Sequence, residues 1–376
     1  MSKKNKNADN NFFILIIVGV FVYVGFLFVI ASPNVISGFE RAFSFAGVEY
    51  SASSTPPAPA LDILAYNQKM VALAGFGTTT VATGISATSS MWTAATSSIS
   101  SPIHFWPVAT AYPDAGAILP FSRIVAYYGN FDSASMGVLG ADPPQEMISN
   151  LQDVAATWQD ADPTTPVIPA LDYIAVVAEG SPGPDGTYRA RMPADQIEQA
   201  IALADQMHGL VFLDVQVAWS TLQAEVPLLE QYLKLPEVEL AIDPEFALKP
   251  GQKPGVVNGT FDATDINYVA NFLANIVKEN NIPPKILLVH RWTDHMVTNW
   301  QNIKPLPEVE ILMNMDGWST PAKKTQVYNL VITEDPVQFS GIKLFYKNDT
   351  LPPSPGLMTP AQILSLHPAP SFVEYQ

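Results

Sequence analysis

The stretch VELAIDPEFAL, Val238–Leu248, starts as a buried strand should, with apolar residues at every second position or better. It closes on Asp243 and Glu245 with a proline between them. Side chains two apart on a strand point to one face, so whatever surrounds Asp243 also surrounds Glu245. The same design recurs along the chain. Apolar runs of strand length occur at RIVAYYGN (123–130), VIPALDYIAVVA (167–178), GLVFLDVQ (209–216), VELAIDPEF (238–246), KILLVHRW (285–292), VEILMNMDGW (309–318), GIKLFYKND (341–349) and SFVEYQ (371–376). Helical patterns lie between most of them: PQEMISNLQDVAATW, DQIEQAIALADQM, LQAEVPLLEQYLK, DINYVANFLANIVKEN, DHMVTNWQNI, PAKKTQVYNLVI and TPAQILSL. Eight strands alternating with helices over roughly 250 residues fit an α/β chain of the (β/α)8 TIM type. An open doubly wound sheet is the competing architecture, but no GxGxxG follows the first strand and no phosphate loop is present.

Strands of such a barrel are apolar along their length and turn polar at their C-terminal ends, where sites are built. Read in order, those ends carry Tyr128 and Asn130, Asp214 and Gln216, Asp243 and Glu245, His290 and Trp292, Asn314 and Asp316, Lys343 and Phe345, and Gln376. Polarity beginning at the end of one strand is commonplace. Six strands each ending in a same-face polar or aromatic pair indicate a shared cleft.

Paired carboxylates in a polar cleft are the apparatus of glycoside hydrolysis, in which one acid is protonated and another ionised. Asp214, Asp243, Glu245 and Asp316 come from neighbouring strands and are the candidates. Glu245, nearer the open end, is the expected proton donor, with Asp243 ionised beneath it and Asp214 the third catalytic candidate. Tyr128, Asn130, Gln216, His290, Trp292, Asn314, Asp316 and Lys343 are the expected substrate contacts. Tyr127, Tyr128, Trp219, Trp292, Trp318 and Tyr346 are candidate sugar-stacking faces, although packing under loops is the commoner fate of an aromatic residue. A metal centre built on His290, His295, Asp214, Asp243 and Asp316 is the weaker reading. The two histidines are five apart, neither a helical zinc pair nor a same-face strand spacing, so a His290 that hydrogen-bonds a carboxylate is expected, with no metal and no cofactor. A serine nucleophile lacks its GxSxG. Arg189 and Arg191, in PGPDGTYRAR, either clamp an anion or pair with surplus acids.

The chain holds no cysteine, which removes disulfides, thiolate metal sites and thiol nucleophiles together. Its net charge of −16 speaks against a nucleic-acid partner. After Lys3, Lys4 and Lys6 comes FFILIIVGVFVYVGFLFVIA, Phe12–Ala31, 20 residues without a charge. That is enough to cross a hydrocarbon core of about 30 Å. With basic residues on one flank, it predicts a single-pass anchor with residues 1–11 inside and the rest outside the cytoplasm. The run exceeds the usual signal-peptide core, so a retained anchor is preferred to a cleaved one ending at Val29-Ile30-Ala31. Residues 32–116 read as a linker: STPPAPA is extended, LDILAYNQKMVALA suits one short amphipathic helix, and 14 of the 24 residues of Thr78–Ser101 are Ser or Thr. The barrel is expected from Ala117 to Gln376, closing with FVEYQ beside RIVAYYGN.

IDPEF on the fourth strand and MNMD on the sixth are similar to motifs of the family 18 chitinase-like barrels. That resemblance implies Glu245 as the acid, Asp243 as an assisting carboxylate and Asp316 as a substrate-holding group. The chain departs from the pattern where an apolar residue replaces the first acidic position of the fourth-strand motif, and where Met315 stands in place of a tyrosine. The blocks LDVQ, DPEF, VH and MDG and the terminal YQ also resemble a group of secreted or membrane-anchored bacterial barrel proteins without an assigned activity, which implies location and fold rather than a reaction. Together these readings predict an anchored extracytoplasmic barrel acting on envelope or external polysaccharide. A non-catalytic carbohydrate-binding or envelope protein is the alternative.

Overall fold

The computed structural model describes residues 59–75, 106, 108 and 110–376. The basic tail, the apolar run Phe12–Ala31 and the Ser/Thr-rich stretch lie outside the described residues. Among the described residues no helix is long and apolar enough to cross a membrane.

Eight parallel strands form in the expected places: β1 Arg123–Gly129, β2 Val167–Ala178, β3 Leu210–Val215, β4 Val238–Ile242, β5 Lys285–Arg291, β6 Val309–Met315, β7 Phe339–Leu344 and β8 Phe372–Tyr375. Each pairs with its neighbour in chain order. The barrel closes because β1 pairs with β2 along Arg123↔Val167 to Gly129↔Tyr173 and with β8 along Ile124↔Phe372 to Tyr127↔Tyr375. Among the described residues the helices are α1 Ile63–Leu73, α2 Pro144–Ala161, α3 Ala194–Asp205, α4 Leu222–Glu225, α5 Glu230–Leu233, α6 Ala263–Asn280, α7 Pro321–Tyr328 and α8 Pro360–Leu364.

Two expected helices differ. LQAEVPLLEQYLK is split into α4 and α5 by a 3-10 turn, Val226–Leu229, where Pro227, having no N–H, cannot donate to the α ladder. DHMVTNWQNI is not an α-helix. Val297–Thr298 is taken up as a strand beside Phe261–Asp262, and Asn299 turns the chain with φ 54°, leaving two 3-10 turns. Asp262 holds this arrangement by accepting from Thr298 Oγ1 at 2.9 Å and Asn299 Nδ2 at 2.6 Å, so a tertiary contact overrides local propensity.

Strand parity sorts the core into two. Val125, Leu171, Leu213, Leu240, Leu287, Ile311, Ile342 and Val373 face outward and pack under the helices. Ile124, Ala126, Ala170, Phe212, Ala241, Leu288, Leu312 and Phe372 face inward and fill the middle of the barrel. That layer is full: a Cβ on Gly341 would lie 2.7 Å from Asn314 Oδ1 and 3.1 Å from Phe372 Cδ1.

Tyr66 and Met70 of α1, with Trp106 and Leu119, belong to the same inner cluster, so α1 caps the end where the strands begin. Lys69 Nζ donates to Thr164 O at 3.1 Å, just ahead of β2, and Ala369 N donates to Leu73 O at 2.8 Å, just ahead of β8. The helix expected from LDILAYNQKMVALA therefore forms, and the compact unit spans Ala58–Gln376, reaching back before Ala117.

Candidate active site

At the opposite end, where the strands finish, a cleft of about 510 Å³ opens. Its lining includes Tyr128, Gln216, Asp243, Glu245, Trp292, Asp316 and Lys343 from the expected set, together with Ile174, Phe246, Trp318 and Phe345. Asp214, His290 and Asn314 lie fully buried one layer deeper, on the inward face of their strands. Asn130 is spent elsewhere: its amide donates to Ile174 O at 3.1 Å and its carbonyl accepts from Asp132 N, tying β1 to β2. Of the expected stacking aromatics, Tyr128, Trp292 and Trp318 reach the cleft. Tyr127 and Tyr346 pack with Tyr375 outside it, and Trp219 lies against Tyr188.

β4 ends at Ile242, and Pro244–Phe246 forms a 3-10 turn whose first N–H groups need a partner. Asp243 supplies it, accepting from Glu245 N at 2.9 Å. The turn swings Glu245 onto the rim, where Trp292 Nε1 donates to its Oε2 at 3.2 Å. Across the cleft, a buried ion pair, Lys324 Nζ to Asp349 Oδ2 at 3.0 Å, organises the wall. Lys324 also donates to Gly317 O, and Asp349 accepts from the backbone of Ser319 and Phe345, so one pair holds the segments carrying Trp318 and Phe345. Gly317 leaves room for Trp292, because a Cβ there would stand 3.1 Å from the indole's own Cβ.

Beneath the rim the inward positions carry charge. Tyr128 donates to Asp214 Oδ2 at 3.2 Å and accepts from Gln216 Nε2 at 3.0 Å. Lys343 Nζ sits 3.0 Å from the centre of the Tyr128 ring and 3.3 Å from Glu374 Oε2. His290 Nδ1 lies 3.3 Å from Asp316 Oδ2, while its Nε2 faces Asp172 Oδ2 at 3.8 Å and Asp214 Oδ2 at 4.0 Å. The Asp316 contact is electrostatic rather than a well-aligned hydrogen bond. Asp172 and Glu374 are both fully buried, and the strand-end reading missed them because they stand inside apolar runs rather than at their ends. The signal was present, since an acid two residues before a cleft-facing position shares its face, as Asp172 does with Ile174 and Glu374 with Gln376.

Burial dominates the electrostatics. It raises Glu245, reinforced by the nearby Asp316, and it pushes Asp243 far above the ordinary carboxylate range, with Asp316, Asp214 and Glu245 adding to the effect. Against the expectation of an ionised Asp243, its enclosure among other acids opposes ionisation, while His290 favours it. Asp214 is raised by burial against the opposing pull of His290 and Lys343. Burial alone would lower His290, but Asp316, Glu374 and Asp214 outweigh it and lift it to about 9.

His295 is exposed on the turn Asp294–Met296, away from this cluster. Arg189 and Arg191 both pair with the buried Glu225, at 2.8 and 2.7 Å, so they neutralise an acid of the chain itself.

No family model matches the chain, and no curated protein does. Solved structures that resemble it include a hyperthermophilic endo-β-1,4-glucanase in complex with substrate, at 8% identity over 56% of this chain and 77% of that one, with a TM-score of 0.31. The cellulose synthase subunit Z from Clostridioides difficile matches at 9% identity over 68% of this chain and 92% of its own, with a TM-score of 0.35. GH26C from a Muricauda species matches at 8% identity over 66% and 70%, with a TM-score of 0.29. Likeness of this degree carries nothing about reaction. Neither the chitinase-like resemblance nor the anchored bacterial group gains support from it, and the barrel assignment rests on the strand pairing described above.

Proposed function

We propose that the cleft binds a glycan and hydrolyses it, with Glu245 as the proton donor. The observation that carries this reading is the setting of Glu245. Its carboxyl is partly buried on the rim of the cleft, raised by burial and by Asp316, and oriented by the Trp292 indole beside the exposed Trp318 ring. A carboxylic acid kept protonated above its usual range can give its proton to a glycosidic oxygen as the bond to the anomeric carbon breaks. Asp316, facing the same cleft, offsets the positive charge that develops on the sugar; water then bonds to the anomeric carbon and gives its proton to the Glu245 carboxylate, which restores the acid. Trp292 and Trp318 supply flat apolar faces for sugar rings, and Gln216 and Lys343 supply donors to hydroxyls. The protein is further proposed to be held by Phe12–Ala31 in the membrane with the barrel outside, so that envelope or external polysaccharide is the accessible substrate.

Glu245→Gln tests the chemistry, because it keeps shape and removes the acid. Hydrolysis of the glycan that the wild type turns over is expected to fall by about a hundredfold or more, with binding of the same glycan retained in calorimetry. Binding by the wild type without turnover on any envelope glycan would leave a carbohydrate-binding barrel instead.

A further inference from the structure

We propose that Asp172, His290 and Glu374 form a binding site for a divalent transition-metal ion beneath the floor of the cleft. One donor atom from each of the three lies within 4.8 Å of those of the other two, and all three residues are fully buried. Both oxygens of Asp172, Oε1 of Glu374 and Nε2 of His290 are buried without a hydrogen-bond partner. Buried polar atoms are rarely left so, and a group of them facing one point marks a missing occupant.

Two enclosed carboxyls facing each other need a proton or a cation between them. A proton can join two oxygens. The imidazole nitrogen facing Asp172 then has to donate a proton of its own, whereas a metal ion takes a neutral imidazole and both carboxylates at once, and a metal titration separates the two arrangements.

The neighbouring contacts are those of a metal site. Ligating histidines and carboxylates are held by one atom so that the other is free to coordinate. His290 has Asp316 against Nδ1, which leaves Nε2 facing Asp172. Glu374 takes Asn314 Nδ2 at 3.0 Å and Lys343 Nζ at 3.3 Å on the same oxygen, Oε2, which leaves Oε1 free.

Metal–nitrogen and metal–oxygen bonds of about 2.0–2.2 Å would require these side chains to draw together by about 1 Å or more. One imidazole with two carboxylates suits Zn²⁺, Mn²⁺ or Fe²⁺ better than an all-oxygen ion such as Ca²⁺. Tyr128 and Lys343 line the cleft and also contact the cluster, so they lie between the two.

The test uses the full-length chain, stripped with chelator and titrated with Mn²⁺ and Zn²⁺ in calorimetry, with Mg²⁺ and Ca²⁺ as comparisons. One equivalent of Mn²⁺ or Zn²⁺ is expected to bind and to raise the thermal midpoint. Asp172→Asn and Glu374→Gln, each first shown folded by circular dichroism, are expected to weaken binding at least tenfold, while Glu245→Gln leaves it unchanged. Bound Mn²⁺ in the wild type is also expected to give a broadened electron paramagnetic resonance spectrum, a readout that does not depend on any variant folding. Folded wild type that takes up neither ion, with an infrared carboxylic-acid band that Asp172→Asn removes, would overturn the site in favour of a shared proton. Binding indifferent to both substitutions would overturn it equally.

Discussion

At the residue scale, the chain places acids where water cannot reach them, and the consequences depend on what each one meets. Glu310 faces inward near the start of β6 and accepts from the backbone N–H groups of Ile118 and Leu119 at 3.1 and 2.8 Å. Burial outweighs those bonds and raises its pKa from 4.5 to about 8. The folded state therefore binds the Glu310 proton more tightly than the unfolded chain does. Its contribution to stability is greatest below the unfolded value and is lost as pH rises from about 4.5 towards 8. Glu310→Gln cannot ionise and keeps one of the two acceptor oxygens, so it carries a fixed cost at every pH from the N–H left facing its amide nitrogen. Its thermal midpoint relative to wild type is expected to rise between pH 5 and pH 9, and a difference that stays flat across that range would contradict the assignment. Glu239, raised to about 7 by burial, works in the same sense and sharpens the decline of the wild type. In the sequence these acids are single letters inside apolar runs. Neither their depth nor their partners can be read there, because depth depends on strands distant along the chain.

At the scale of the element, the periodicity that predicts a strand or helix says nothing about what covers it. α1 illustrates this. Its apolar pattern is legible in LDILAYNQKMVALA, but its place in a linker-like segment suggested a spacer, whereas Tyr66 and Met70 are buried against the inner face of the barrel. Met70→Ala should then cost about 2–5 kcal/mol, the usual range for truncating a buried methionine. Chemical denaturation would measure it, and a loss below about 0.5 kcal/mol, as for a surface change, would mean that α1 is a tether after all. Asp243 shows the converse, since its role in capping the turn that projects Glu245 follows from Pro244 and from the strand ending at Ile242. That local geometry is readable from five letters because a proline and an aspartate constrain the backbone by themselves.

At the scale of the whole molecule, the proposed anchor and the barrel make one prediction about topology. If Phe12–Ala31 spans the membrane with its basic flank inside, protease added to spheroplasts should release a soluble fragment that begins between Ser32 and Ala58. Cleavage within α1 itself is opposed by its packing on the barrel. Complete protection of the chain would reverse the orientation. The architecture itself was determined by the sequence alone, because eight apolar runs alternating with helical patterns admit few closed solutions, and the period of two along each strand told which end would turn polar. The strand-end residues Glu245, Trp292 and Asp316 were legible for the same reason. The tertiary structure alone decided which inward residues share a layer, since strand stagger brings Asp172, His290 and Glu374 together from three different strands. It also decided which acids have their pKa values raised, because burial is a property of the closed barrel and not of any segment that builds it.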